Sequence, residues 1–211
     1  MTFSRHVPVM SPGSGDALLV VDLQRDFLRG GALAVPGAER VVAQANRWVE
    51  RFAAAGLPVF ASRDWHPAHH CSFAQQGGPW PAHCVAGSHG AEFAPGLRLP
   101  PHATIVSKGT APRQEAYSAF GGTSLAQQLN GLGVGRLFVV GVATEYCVAQ
   151  TVLDACALGL SVVVPTDAVA AIDAAPGGAG ERVLREMAAA GARCVAGAAI
   201  GARRPAHRLV H

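Results

Sequence analysis

The stretch "DALLVVD", residues 16–22, decides the fold. It is a continuous apolar run between two carboxylates, without the apolar–polar alternation of a strand that faces water on one side. Such a run fits a strand covered on both faces. The rest of the chain keeps the same rhythm. Residues 38–55 repeat apolar side chains at Val41, Ala45, Trp48, Phe52 and Ala55, spacings of 4, 3, 4 and 3 that share one helical face. Gly56 and Pro58 end that helix. "PVFASRD" reads as a second strand, "ATIVSK" as a third, "RLFVVGVAT" as a fourth and "SVVVPTD" as a fifth. "ARCVAG" completes a set of six. Helices are expected over "SLAQQLNGLG", "CVAQTVLDACALG" and "GERVLREMAAAG". Apolar strands alternating with helices predict an α/β fold: a parallel six-stranded sheet with helices on both faces.

Composition bounds the class. Of 211 residues, 50% are hydrophobic and 15% charged, with a net charge of +3. A chain of that size forms one domain burying roughly 70% of its unfolded surface, with no need of a disulfide or metal to fold. The division expected is a loose leader over 1–15, a single catalytic domain over 16–201 and a basic tail over 202–211. The scattered arginines show no interleaving with aromatic residues, which argues against nucleic acid. No apolar run approaches membrane-spanning length. The five cysteines (71, 84, 147, 156 and 194) are odd in number and follow no framework. Residues 1–15 lack the apolar centre of an export signal, so reduced thiols in the cytoplasm are expected. Monomer and homo-oligomer stay equally open.

In a parallel sheet of this kind, ligands bind beyond the carboxyl ends of the strands. The first strand ends at Asp22, the second at Asp64 and the third at Lys108, and the fourth leads to Cys147. Lys108 is the only lysine among 17 Lys and Arg residues. Arg is a broad, permanent cation, whereas Lys is a compact ammonium whose proton can shift. Compositional drift toward Arg could leave one Lys by chance; convergence with two acids and a thiol points instead to a site. With Thr144 as a helix cap, Cys147 lies in the first turn, where the helix N-terminus lowers a thiol pKa. Backbone N–H groups of that turn would hold an oxyanion, and Asp22 would carry the thiol proton to a leaving amine.

A second cluster lies in "RDWHPAHHCSF…PWPAHC". Asp64 and His66 share a face because the strand period is 2. A third ligand would complete a three-residue metal site with open positions, as in catalytic zinc. His83 is the choice for that ligand and His70 its rival. Iron or manganese suit the same donors. Histidines merely hydrogen-bonded within a loop remain the alternative here. Phe27, Trp80 and Tyr117 fall in loops near the proposed site and would form a flat pocket for a ring.

These segments ("VVDLQRDF", "SRDWHPAHHCSF", "WPAHCVAGSHGAEF", "SKGT…AYSAFGGTSL" and "VVGVATEYCVAQTVLDA") resemble the nicotinamidase branch of the isochorismatase-like cysteine hydrolases over roughly residues 16–196. The resemblance implies an Asp22–Lys108–Cys147 triad and one divalent metal, zinc first, on Asp64, His66 and His83, joined by His70 in some relatives. It implies ring-stacking aromatics at Phe27 and Trp80. It also implies a cis peptide at Val142–Ala143 that helps expose the oxyanion donors. The activity implied is hydrolysis of nicotinamide, and of pyrazinamide, through a thioester. A related amidase acting on another small amide or ureido compound, or a non-catalytic binding protein on the same fold, are the alternatives. One departure is Glu145, where many relatives carry Asp.

Overall fold

In the computed structural model, which describes residues 11–196, the run Asp16–Val21 forms strand β1 and is buried along its whole length. Its neighbours are β2 (Val59–Asp64) and β4 (Arg136–Val142), both parallel to it. Strand β3 (Thr104–Lys108) pairs with β2, and β5 (Ser161–Pro165) pairs with β4. Strand β7 (Arg193–Val195) lies beyond β5 and gives the order β3-β2-β1-β4-β5-β7. All pairings are parallel, as the doubly covered apolar runs predict.

The apolar runs predict six strands, and seven form among the described residues. The extra one, β6 (Val169–Ala170), pairs with the far end of β4 at Gly141 and Val142. Strand β5 reaches only as far as Phe138 on β4 before the chain turns at Thr166–Ala168. A two-residue strand carries no period, so the sequence pattern does not reveal it.

Alternation within the strands sorts the core into two layers. Leu18, Val20, Phe138 and Val140 pack against helix α1 (Ala38–Ala54), through Val41, Ala45, Trp48 and Phe52. Leu19, Val21, Leu137 and Val139 face the other way, onto helices α2 (Leu125–Gly131), α3 (Ala149–Ala157) and α4 (Ala179–Ala189). At β1 and β4 the chain reverses the direction in which it adds strands. That reversal opens a crevice beyond their carboxyl ends, the standard ligand position of such sheets. Gly141 keeps the two strands close at this point. Its φ is +131°, and a Cβ there would overlap the Val21 carbonyl.

Of the expected loose leader, residues 11–15 are tied down. Arg136 Nη2 donates to Ser11 O at 3.3 Å, and the Gly15 carbonyl accepts from the N–H groups of Gly135 and Arg136. The rest of the leader and the basic tail 202–211 lie outside the described residues. No described helix is long and apolar enough to cross a membrane.

Candidate active site

The strand ends deliver their side chains to one place. Asp22 follows β1 with a φ of +50°, a left-handed conformation uncommon outside glycine. Such strain collects at functional positions, where the surrounding structure enforces it. Here Ser62 on β2 donates its hydroxyl to Asp22 Oδ1 at 2.6 Å, and the Asp22 N–H bonds the Ser62 carbonyl. Lys108, at the end of β3, is 1% exposed. Its Nζ lies 2.9 Å from Asp22 Oδ2, 2.6 Å from Asp64 Oδ1 and 3.3 Å from Cys147 Sγ, and it also donates to the Ala116 carbonyl at 3.2 Å. An ammonium has three protons and one small charge centre, so it donates to Asp64, Ala116 and Cys147 while its charge lies against Asp22, which a broad guanidinium could not do in the same space. That is the physical content of the single lysine.

Cys147 sits differently from expectation. Thr144 is not a cap: Ala143 precedes the turn, and Thr144–Val148 winds as one π-helical turn before α3 begins. Burial pushes the Cys147 thiol up, and Asp22 and Asp64 add to the effect while Lys108 opposes it. The helix-end argument for a low pKa misses this, because it leaves out the burial of the sulfur and, after it, the two carboxylates nearby. Asp22 is also raised, by burial first and by Asp64, with Lys108 and Ser62 opposing. Burial disfavours the charged form of both groups, and Lys108 beside them offsets the one negative charge they share. Asp64 behaves oppositely. Burial raises it, but Lys108 and then His66 more than offset that and hold it below the ordinary carboxylate range.

The other oxygen of Asp64 faces the histidines. His66 Nε2 is 3.6 Å and His83 Nε2 4.0 Å from Asp64 Oδ2. Each ring has its Nδ1 on a backbone carbonyl: His66 on Gly109 at 3.0 Å, His83 on Pro81 at 2.8 Å. A nitrogen facing a carbonyl carries the proton, so Nε2 presents a lone pair. Two imidazole lone pairs and a carboxylate oxygen then converge, a donor set that fits a divalent cation with open positions. Gly109 makes room for this, since a Cβ there would overlap the His66 ring. His70 is buried and stacks on His66, with ring centroids 4.2 Å apart, but it is not in the converging set. Its nitrogens are engaged by Ser72 Oγ at 2.7 Å and the Gln114 carbonyl at 3.1 Å. Asp22, Asp64 and Cys147 also approach one another, but there the Lys108 ammonium already supplies the cation.

A cavity opens onto these groups. Phe27, Trp80, Tyr117 and Ala143 line it with Asp64, His83 and Cys147. Trp80 Nε1 donates to Tyr117 Oη at 2.9 Å, which joins two loops across its wall. Val142 is not in the lining; it is fully buried in the core layer under α1. The Val142–Ala143 peptide is cis.

Sequence reasoning missed several participants. Tyr146, Leu33, Val35 and Ile172 also line the cavity. Gln24, fully buried, accepts from Asp64 N at 2.7 Å and donates to the carbonyls of Asp64 at 2.8 Å and Ala91 at 2.9 Å. Asp26 Oδ2 accepts from Cys84 N at 2.7 Å, which fixes the residue after His83 at a φ of +45°. A polar residue just past the end of a buried strand is the signal the sequence holds for Gln24.

Comparison with known proteins places the chain in a family. A family model described as an isochorismatase domain matches residues 16–198. The nicotinamidase of Escherichia coli (strain K12) is 42% identical over 197 residues, covering 83% of this chain and 92% of that protein. The pyrazinamidase of Pyrococcus horikoshii in complex with zinc superposes with a TM-score of 0.82 at 48% identity, covering 86% of this chain and 99% of the other. PnC1 from L. infantum in complex with nicotinate gives a TM-score of 0.83 at 36% identity, covering 92% and 99%. The chain belongs to the isochorismatase family.

Proposed function

We propose that this isochorismatase-family chain is a metal-dependent cysteine amidohydrolase that converts nicotinamide to nicotinate and ammonia, and accepts pyrazinamide as a ring analogue. The observation that carries the reading is the position of the Lys108 ammonium. It touches the Cys147 sulfur, the Asp22 carboxylate and Asp64 at once, and Cys147 and Asp64 line an aromatic-walled cavity. Nucleophile, base and metal-ligand set therefore serve one bound molecule.

Asp22 takes the Cys147 proton as sulfur attacks the carboxamide carbon. Lys108 holds the charge of the pair while the proton moves. Backbone N–H groups of the turn that carries Cys147 hold the oxyanion. Asp22 then returns the proton to the departing ammonia and leaves a thioester, and a water deprotonated by Asp22 cleaves it to the carboxylate. Phe27, Trp80 and Tyr117 hold the ring. Asp64, His66 and His83 would hold a divalent metal, zinc first. When bound, such an ion supplies a Lewis-acid position for the ring nitrogen and offsets the charge of Asp64.

The test is ammonia release from nicotinamide and pyrazinamide by the wild type and by Cys147→Ala. The reading requires turnover by the first and background release by the second. Equal background release from both would favour a binding protein, and turnover confined to ureido compounds would favour the related amidases.

A further inference from the structure

Glu145 has no part in the chemistry above, yet it stands two residues before the nucleophile and its carboxylate is used in full. Oε2 accepts from Ile172 N at 3.1 Å and Oε1 from Asp173 N at 2.7 Å. Asp173 in turn folds the segment leading into α4. Its carboxylate accepts from Ala175 N at 3.3 Å and Ala179 N at 2.8 Å, and its carbonyl from Gly180 N at 3.1 Å. The connection from β6 to α4 thus hangs from the nucleophile turn through one carboxylate.

From that connection, Ile172 is the side chain that reaches the cavity lining. It is 39% exposed, an unusual state for a large aliphatic residue among the described residues. The other large hydrophobics so exposed among the described residues, Ile105, Leu132 and Leu158, line no part of this cavity. An apolar side chain left in water at the mouth of a site gains when a ligand covers it. With Leu33 and Val35 it offers shape and no hydrogen bond, so it discriminates by fit.

We propose that Ile172 is a specificity-determining contact that limits the size of substituents on the substrate ring, and that Glu145 is the positioning residue that sets its place. This rests on the reading that the cavity takes a nicotinamide ring. Charge-assisted hydrogen bonds to two successive N–H groups fix the backbone of Ile172 against the turn that carries Cys147. A gap or overlap of one methyl group against such a wall changes kcat/KM by roughly 10- to 200-fold.

The experiment uses metal-loaded enzyme with nicotinamide and its four ring-methylated forms, and follows ammonia release. Ile172→Ala is expected to raise kcat/KM for at least one methylated form, relative to nicotinamide, by roughly tenfold or more, and Ile172→Val by less. Glu145→Gln keeps the shape but offers one acceptor to two N–H groups. It should shift the same methylated form in the same direction, with the KM for nicotinamide rising more than kcat falls. Glu145→Asp, which keeps the charge, should fall between wild type and Glu145→Gln. Unchanged ratios in Ile172→Ala overturn the proposal, whatever happens to thermal stability. A shift in Ile172→Ala with none in Glu145→Gln or Glu145→Ala overturns the positioning role. If the wild type releases no ammonia from nicotinamide, the proposed function falls as well; unchanged ratios with turnover intact overturn this inference alone.

Discussion

Lys108 Nζ and Asp64 Oδ1 lie 2.6 Å apart, and this ion pair joins the metal-ligand set to the nucleophile. The same carboxylate turns its other oxygen to His66 and His83, and the same ammonium turns to Asp22 and Cys147. Charge introduced or removed at the histidines is therefore felt at the sulfur through Asp64 and Lys108.

Replacing Lys108 tests that coupling. Lys108→Arg keeps the charge but not the compact shape, in a position that is 1% exposed. Ammonia release should fall by at least about 100-fold, the effect of misplacing reacting groups by about 1 Å. Lys108→Met leaves Asp22 and Asp64 buried together without a cation and should cost about 3–5 kcal/mol of stability in urea titration. A Lys108→Arg enzyme within about threefold of wild type would contradict the role given to the ammonium, because a misplaced group costs far more than that.

The two aspartates should respond to pH with opposite signs in metal-stripped protein. Asp22, raised by burial, binds extra protons in the folded state, so its contribution to stability falls as pH rises above about 4. Asp64 is buried too, but Lys108 and His66 lower it; its contribution is present above about pH 4 and is lost as pH falls below that. Asp22→Asn removes the first slope. Its melting temperature relative to wild type should climb between about pH 4 and pH 7, while ammonia release is lost throughout. A flat difference would show that Asp22 titrates as an ordinary carboxyl.

Metal content should distinguish the histidines. His66→Ala and His83→Ala each remove a converging lone pair, and their dialysed proteins should retain far less zinc than wild type by elemental analysis. His70→Ala should retain it, because that ring is committed to Ser72 and Gln114. Chelation should abolish nicotinamide turnover in the wild type, and added zinc should restore it. Loss of zinc from His70→Ala equal to that from His83→Ala would place His70 among the ligands.

Gln24 should matter to stability and metal affinity together. It satisfies the N–H and carbonyl of Asp64 and the carbonyl of Ala91, all in the interior. Gln24→Leu leaves those groups unpaired, at about 1–3 kcal/mol each. Urea unfolding should show a loss of several kcal/mol, and zinc should dissociate more readily as the Asp64 backbone loosens. An unchanged unfolding midpoint would mean that water replaces the amide.

By itself the sequence determined six of the seven described strands, the helices on both faces and the set of groups at the strand ends. The runs at β1 and β4 are apolar on both faces, Asp64 and His66 are two residues apart, and Asp22 and Lys108 stand at the ends of strands. Each of these is a local period or a local boundary, and such features survive in one dimension. The sequence preferred His83 and kept His70 as its rival; the tertiary structure supplies the physical difference, which lies in what each buried ring nitrogen meets. It also supplied Gln24, Tyr146 and the Glu145–Ile172 link, and it showed Cys147 between two carboxylates instead of under a simple helix end. Glu145 and Ile172 are 27 residues apart, and Gln24 and Asp64 are 40 apart. Partners so separated leave no period in the chain, because what brings them together is the packing of loops around the crevice between β1 and β4.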